Sequence, residues 1–103
     1  MQKAKFTIGQ IIHHKLFDYR GVIVDVDFRF LGSDEWYEQV ARSHPPKDRP
    51  WYHVLVDNAV HQTYVAEQNL EVSDNITAIN HPLIDSVFSG LENGCYRLRI
   101  KKN

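Results

Sequence analysis

Residues 21–30, "GVIVDVDFRF", carry the sharpest alternation in the chain: Val22, Val24, Val26, Phe28 and Phe30 fall on one side, Ile23, Asp25, Asp27 and Arg29 on the other. A period of two sends successive side chains to opposite faces, so the segment predicts a strand with one face in the core and the other mostly wet. Upstream, "FTIGQIIHH" sets Ile8, Ile11 and Ile12 around Gly9, which predicts a first strand bent where a side chain would crowd. "LFDYRG" then reads as a turn, with Asp18 and Gly21 able to take its unusual dihedrals. Residues 51–56 and 61–66 read as a hairpin closed by Asp57-Asn58, whose even-numbered loop sets Val56 opposite His61 and His53 opposite Tyr64. Tyr52, Val54, Val56, His61, Thr63 and Val65 then share one face, and Trp51, His53, Leu55, Gln62, Tyr64 and Ala66 the other. Both faces are substantially apolar. One must line the core, and the other must be covered by a helix or tail, or bind something. "EQNLEV" follows as a turn into a short strand.

Between these strands the period changes. In "GSDEWYEQVARSHPP", Ser33 is a helix cap, Asp34 and Glu35 suit the positive end of the helix dipole, and Trp36, Val40, Tyr37 and Ala41 make an apolar stripe. A helix of about ten residues does not persist alone in water, so Trp36 is expected to dock it on the sheet before His44-Pro45-Pro46 ends it. Near the C-terminus, Ile84, Val87, Phe88 and Leu91 predict a second short helix beside Pro82, with Gly94 turning the chain into "CYRLRIKKN", an edge strand or basic tail. The fold expected is therefore mainly β: about five strongly bent antiparallel strands in a small barrel, with one or two short helices. Its expected core is Val22, Val24, Val26, Val54, Val56 and Val65.

The chain has 103 residues, the size of one domain spanning 1–103, and its 43% hydrophobic and 24% charged residues are ordinary globular composition. Twelve Lys and Arg against thirteen Asp and Glu give a net charge of -1, so any attraction to nucleic acid must come from a local patch. The lone Cys95 excludes an internal disulfide and, with no signal-like N-terminus, fits a reducing cytoplasm. No apolar run approaches the ~20 residues that span a bilayer, so no membrane partner is expected.

Candidate chemistry is sparse. Six histidines suggest a metal, but adjacent His13 and His14 point to opposite strand faces, as do His53 and His61, whereas a zinc site needs three or four converging ligands. Asp25 and Asp27 share a face and read as a solvated pair beside Arg29. No phosphate loop, nucleophile elbow or zinc-protease helix is present, so neither an enzyme, a cofactor nor a metal is expected. What stands out is grouped basic residues: Arg42, Lys47 and Arg49 beside Trp51, Tyr52 and His53, and Arg97, Arg99, Lys101 and Lys102 at the C-terminus. Such clusters can follow a phosphate backbone while aromatic or imidazole groups meet bases.

At "PWYHVLVDN…HQTYVAEQNL" the chain resembles the YccV-like family, and the likeness extends through "FTIGQIIHHKLFDYRGVIVDVD", "SDEWYEQV" and "HPLIDSVF". Asp57-Asn58 stands where an Asp-Gly turn is common, and the C-terminus is more basic than the family pattern. The resemblance implies a Src-homology-3-like barrel and a non-enzymatic protein that binds hemimethylated double-stranded DNA in replication-initiation control. It implies, as an alternative, an adaptor that helps Lon protease degrade denatured proteins and the replication initiator under heat stress. The motif residues carried over are Trp51, Tyr52, His53, Tyr64, Glu67 and Asn69, with Trp51 or Tyr52 expected to supply an apolar pocket for the methyl group if either is exposed. A homo-oligomer is compatible with the sequence.

Overall fold

The computed structural model describes residues 3–41 and 43–99. In chain order the elements are β1 (Ile11–His14), β2 (Arg20–Asp27), α1 (Asp34–Val40), β3 (Trp51–Val56), β4 (Gln62–Ala66), a 3-10 turn (Glu67–Asn69), β5 (Leu70–Val72), α2 (Ile84–Val87), β6 (Phe88–Glu92) and β7 (Cys95–Leu98). Strands β1 to β5 form one antiparallel sheet in the order β4-β3-β2-β1-β5, and β6 pairs with β7 as a separate hairpin. The mainly β expectation holds, but the sheet is open rather than a closed barrel: β4 and β5 are its edges.

Strand β2 departs most from the simple alternation. Its register against β3 slips between Ile23 and Asp25, a bulge that adds one residue and reverses which face each later side chain meets. Ile23 and Val26 therefore pack on one side with Phe6, Ile12, Tyr52, Val54, Val65 and Leu70. Val22 and Val24 pack on the other with Ile11, Leu55, Ile79, Phe88 and Tyr96. The single valine face expected from sequence is thus divided between two cores, with Val24 and Val26 only half-buried and Phe28 exposed.

The strand predicted over residues 6–14 is shorter: β1 begins at Ile11, and Gly9 lies in the turn before it rather than at a bend within it, for a steric reason. Gly9 adopts φ +93°, and a Cβ there would stand 2.1 Å from the Tyr96 carbonyl oxygen. Its N–H donates to the Ile23 carbonyl at 2.8 Å and its own carbonyl accepts from Tyr96 N–H at 2.7 Å, which ties the β6–β7 hairpin to the start of β1. Asp18 takes the left-handed turn conformation as expected (φ 53°). Gly21 does not: it lies inside β2, where a Cβ would meet Val54 Cγ1 at 2.4 Å.

Helix α1 starts where predicted, with Trp36 N–H donating to Ser33 Oγ at 3.1 Å, but runs only seven residues. Tyr37 is its most buried side chain and donates its hydroxyl to the Pro45 carbonyl, Trp36 is half-buried, and Val40 is exposed. Trp36, Tyr37 and Ala41, together with Phe30, cover Trp51, Ala66 and Tyr64 on the hairpin's outer face. The second predicted helix is a single turn; Phe88 and Leu91 belong to β6 instead. Asn93 and Gly94, both at positive φ, make the tight turn that drives the strand pairing.

Candidate functional site: a cleft along the edge strand β4

The β3–β4 register is the predicted one, with His53 opposite Tyr64. It sends Tyr52, Val54 and Val65 into the core behind the sheet and keeps Trp51, His53 and Tyr64 on the outer face. One end of that face is covered by α1 and Phe30, and Leu55 is covered by the C-terminal elements. Between and beyond these covers a cleft of about 770 Å³ follows β4. One wall is Trp36, Val40, Ala41 and Pro45; the other is Leu16, Phe17 and Tyr19 from the β1–β2 turn. Leu16, Phe17 and Val40 are 61%, 75% and 58% exposed, an unusual concentration of bare apolar surface. No carboxylate, ammonium or guanidinium belongs to its lining among the described residues.

Polar groups in the cleft are mostly tied down. Tyr64 donates its hydroxyl to Asp27 Oδ2 at 2.7 Å and accepts from Leu31 N–H at 3.0 Å. Burial, then the bond to Asp27, push its phenol up to about 12. His53 Nε2 lies 3.1 Å from the same carboxylate oxygen and its Nδ1 faces Gln62 at 3.4 Å. The Tyr19 and Thr63 hydroxyls meet at 2.7 Å. His14 is the exception. Its Nδ1 accepts from Leu16 N–H and Phe17 N–H, both at 3.1 Å, so the ring proton sits on Nε2, which meets no other described residue although the residue is 4% exposed. Burial lowers its pKa and keeps it neutral.

The residues singled out from sequence are dispersed by the fold. His53, Tyr64, Asn69 and Trp51 line the cleft. Trp51 is nonetheless buried, its Nε1–H donated to the Pro46 carbonyl, and Tyr52 is fully buried on the opposite side, its hydroxyl donated to Glu67 Oε2 at 2.6 Å. Neither is exposed, so the condition on which either would supply the methyl pocket is not met. Glu67 also accepts from Lys5 N–H, so it is a structural anchor for the N-terminal segment. Lys47 is paired with Asp34 at 3.2 Å and sits over the Tyr37 ring. Arg49 is exposed on the connector into β3, beside Lys5, Pro46 and Gln68. Arg97 pairs with Glu92, and Arg99 donates to the Asp85 carbonyl, both on the β6–β7 side of the molecule. Arg42, Lys101 and Lys102 lie outside the described residues.

Asp25, Asp27 and His53 bring their donor atoms within 4.8 Å of one another, a grouping that the separation of the histidines did not suggest. Tyr64 and His53 hydrogen-bond its Asp27, and its Asp25 accepts from Val26 N–H. Sequence reasoning missed Leu16, Phe17 and His14 as lining of the same cleft as Trp36; two large apolar residues inside a turn segment were the available signal.

A protein-family model described as hemimethylated DNA-binding protein YccV-like matches residues 4–95, nearly the whole chain.

Proposed function

Because the chain belongs to the YccV-like family of hemimethylated-DNA-binding domains, we propose that it is a non-enzymatic cytoplasmic protein that binds DNA methylated on one strand and acts in the control of replication initiation. The match over residues 4–95 is the observation that carries this reading. Lys47 and Arg49, on the connector between α1 and β3, hold phosphates, while His53, Tyr64 and Asn69 in the cleft face the bases; Arg42 lies outside the described residues. Arg97 and Arg99 form a second, separate basic patch. With Trp51 and Tyr52 buried, the methyl group meets Phe17, Trp36 or Tyr64 instead. One methyl entering an apolar site is worth on the order of 1 kcal/mol, so the preference over unmethylated duplex is about fivefold to tenfold.

A salt titration of affinity for hemimethylated against unmethylated duplex tests this. Log K falls with log salt at roughly -0.9 per phosphate contact, and Arg49→Gln lowers the slope by about one. Equal affinity for the two duplexes at every salt concentration refutes methyl recognition.

A second reading is favoured by the uncharged, apolar lining of the cleft, which complements protein better than phosphate. In it the chain is an adaptor that presents denatured proteins, including the replication initiator, to Lon protease. Stimulated degradation of an unfolded substrate by purified Lon supports it; an unchanged rate removes it.

A further inference from the structure

Strand β4 is an edge of the sheet, and its backbone faces the cleft. Val56 N–H donates to the His61 carbonyl and Glu67 N–H to the Pro50 carbonyl. In an antiparallel ladder bonded pairs alternate, so Thr63 and Val65 bond to β3 while Gln62, Tyr64 and Ala66 turn outward. The outward N–H groups of Gln62, Tyr64 and Ala66 and the carbonyls of Gln62 and Tyr64 meet no other described residue. Proteins usually blunt such an edge with charge, proline or a covering element. Here it is flanked by apolar walls instead, Phe17 and Leu16 on one side and Trp36 and Val40 on the other.

We propose that the cleft takes an extended, uncharged polypeptide segment that pairs as an added strand with the open edge of β4, its alternate side chains seated on the two walls. Three features select this occupant. Unpaired donors and acceptors at strand spacing match a polypeptide backbone, not a duplex. Among the described residues the lining carries no charge to match phosphates or ionic side chains. His14 lines the cleft, and its Nε2–H, which meets no other described residue, is a donor for one further carbonyl. The five residues of β4 span roughly 17 Å, enough for a segment of about five to seven residues. Such segments are hidden in folded proteins and exposed in denatured ones. The proposal rests on the adaptor reading and names the form in which that adaptor would hold its substrate.

The test uses a fluorescent peptide of about seven residues alternating valine and threonine, titrated against the full chain by anisotropy. N-methylation of alternate amides, those facing β4, should weaken binding about tenfold each, and N-methylation of the intervening amides should not. Gln62→Pro removes an outward N–H at the first residue of an edge strand, where no sheet bond is lost, and should weaken binding while leaving the melting temperature nearly unchanged. Phe17→Ala, at an exposed position, should weaken it as well. No binding by the peptide, or weakening without the alternate periodicity, overturns the proposal. Hemimethylated duplex displacing the peptide, with Phe17→Ala weakening duplex alone, assigns the cleft to nucleic acid and also overturns it. If wild-type chain stimulates Lon and both variants do so equally, the adaptor reading stands and the cleft proposal falls; if the peptide binds with the expected periodicity but Lon is not stimulated, the reverse holds.

Discussion

Arg20, which no motif or periodicity singles out, should be the most sensitive polar side chain in the fold. Its guanidinium pairs with Asp57 Oδ2 at 2.9 Å and donates to the carbonyls of Asn75, Thr77 and Ala78. Asp57 in turn accepts from Asn80 N–H at 2.7 Å and donates its own N–H to the Arg20 carbonyl. The β3–β4 turn and the long segment between β5 and α2 are therefore held by one network, with the two side chains 16% and 13% exposed. Removing one partner of a buried pair costs roughly 3–5 kcal/mol, because the other charge is left without compensation. The three carbonyls lie near solvent and regain water, so Arg20→Met is expected at the low end, about 3 kcal/mol, a fall in melting temperature of about 12–20 °C for a domain of this size. Urea denaturation measures it. Asp57→Asn in the same chain removes the stranded charge and keeps the acceptor for Asn80, so the double variant should recover about 1 kcal/mol relative to simple additivity. A loss below about 1 kcal/mol for Arg20→Met, with no coupling to Asp57, would mean that the pair is as screened as an ordinary surface bridge.

Other outcomes follow from the same geometry. Gly9→Ala must both adopt positive φ and push against the Tyr96 carbonyl, so it should cost about 2–4 kcal/mol in urea denaturation, and a change within about 0.5 kcal/mol would show that the β6–β7 hairpin is not held there. His13 lies between Asp18 at 2.6 Å and Glu71 at 2.7 Å, and these bonds raise its pKa. Its stabilising protonation is complete below the unfolded value of about 6.5 and is lost as pH rises through the raised folded value. Neighbouring His14 acts oppositely, its lowered pKa removing stability as pH falls below about 6.5. His13→Gln should therefore flatten only the alkaline side of the stability profile; an unchanged profile there would refute the bridge. Exhaustive dialysis against a chelator should leave the melting temperature unchanged, since Tyr64 and His53 already hydrogen-bond Asp27, and a fall restored by a divalent ion would show that Asp25, Asp27 and His53 hold one.

The parts of the fold that sequence revealed are those set by local chemistry. Ser33 caps its helix, Asp18 takes its turn, and the aromatic hairpin pairs in the expected register, each because a few neighbouring residues decide the outcome. The β2 bulge is different. Its alternation in sequence is perfect, and only the need to pack one strand against two cores breaks it, a tertiary demand that no window of ten residues contains. The C-terminal helix was misread for a related reason: Ile84, Val87, Phe88 and Leu91 fit a helical stripe, yet Asn93-Gly94 makes the hairpin that captures the last two.

The candidate site illustrates the limit most sharply. A hairpin face could be read from the alternation of Trp51, His53 and Tyr64, but whether that face is covered depends on which strand ends the sheet. A closed barrel would have paired β4 on both sides and left its aromatic face as the only surface to interpret. The open sheet exposes the strand's backbone as well, and it is this backbone, rather than any side chain, that distinguishes an occupant with its own amide ladder from one that presents phosphates. The basic residues grouped by sequence then separate in space: Lys47 satisfies Asp34, Arg97 satisfies Glu92, and Arg99 is spent on a main-chain carbonyl. Among the described residues these three charges are already engaged, and affinity of the cleft for an extended chain should be nearly independent of salt.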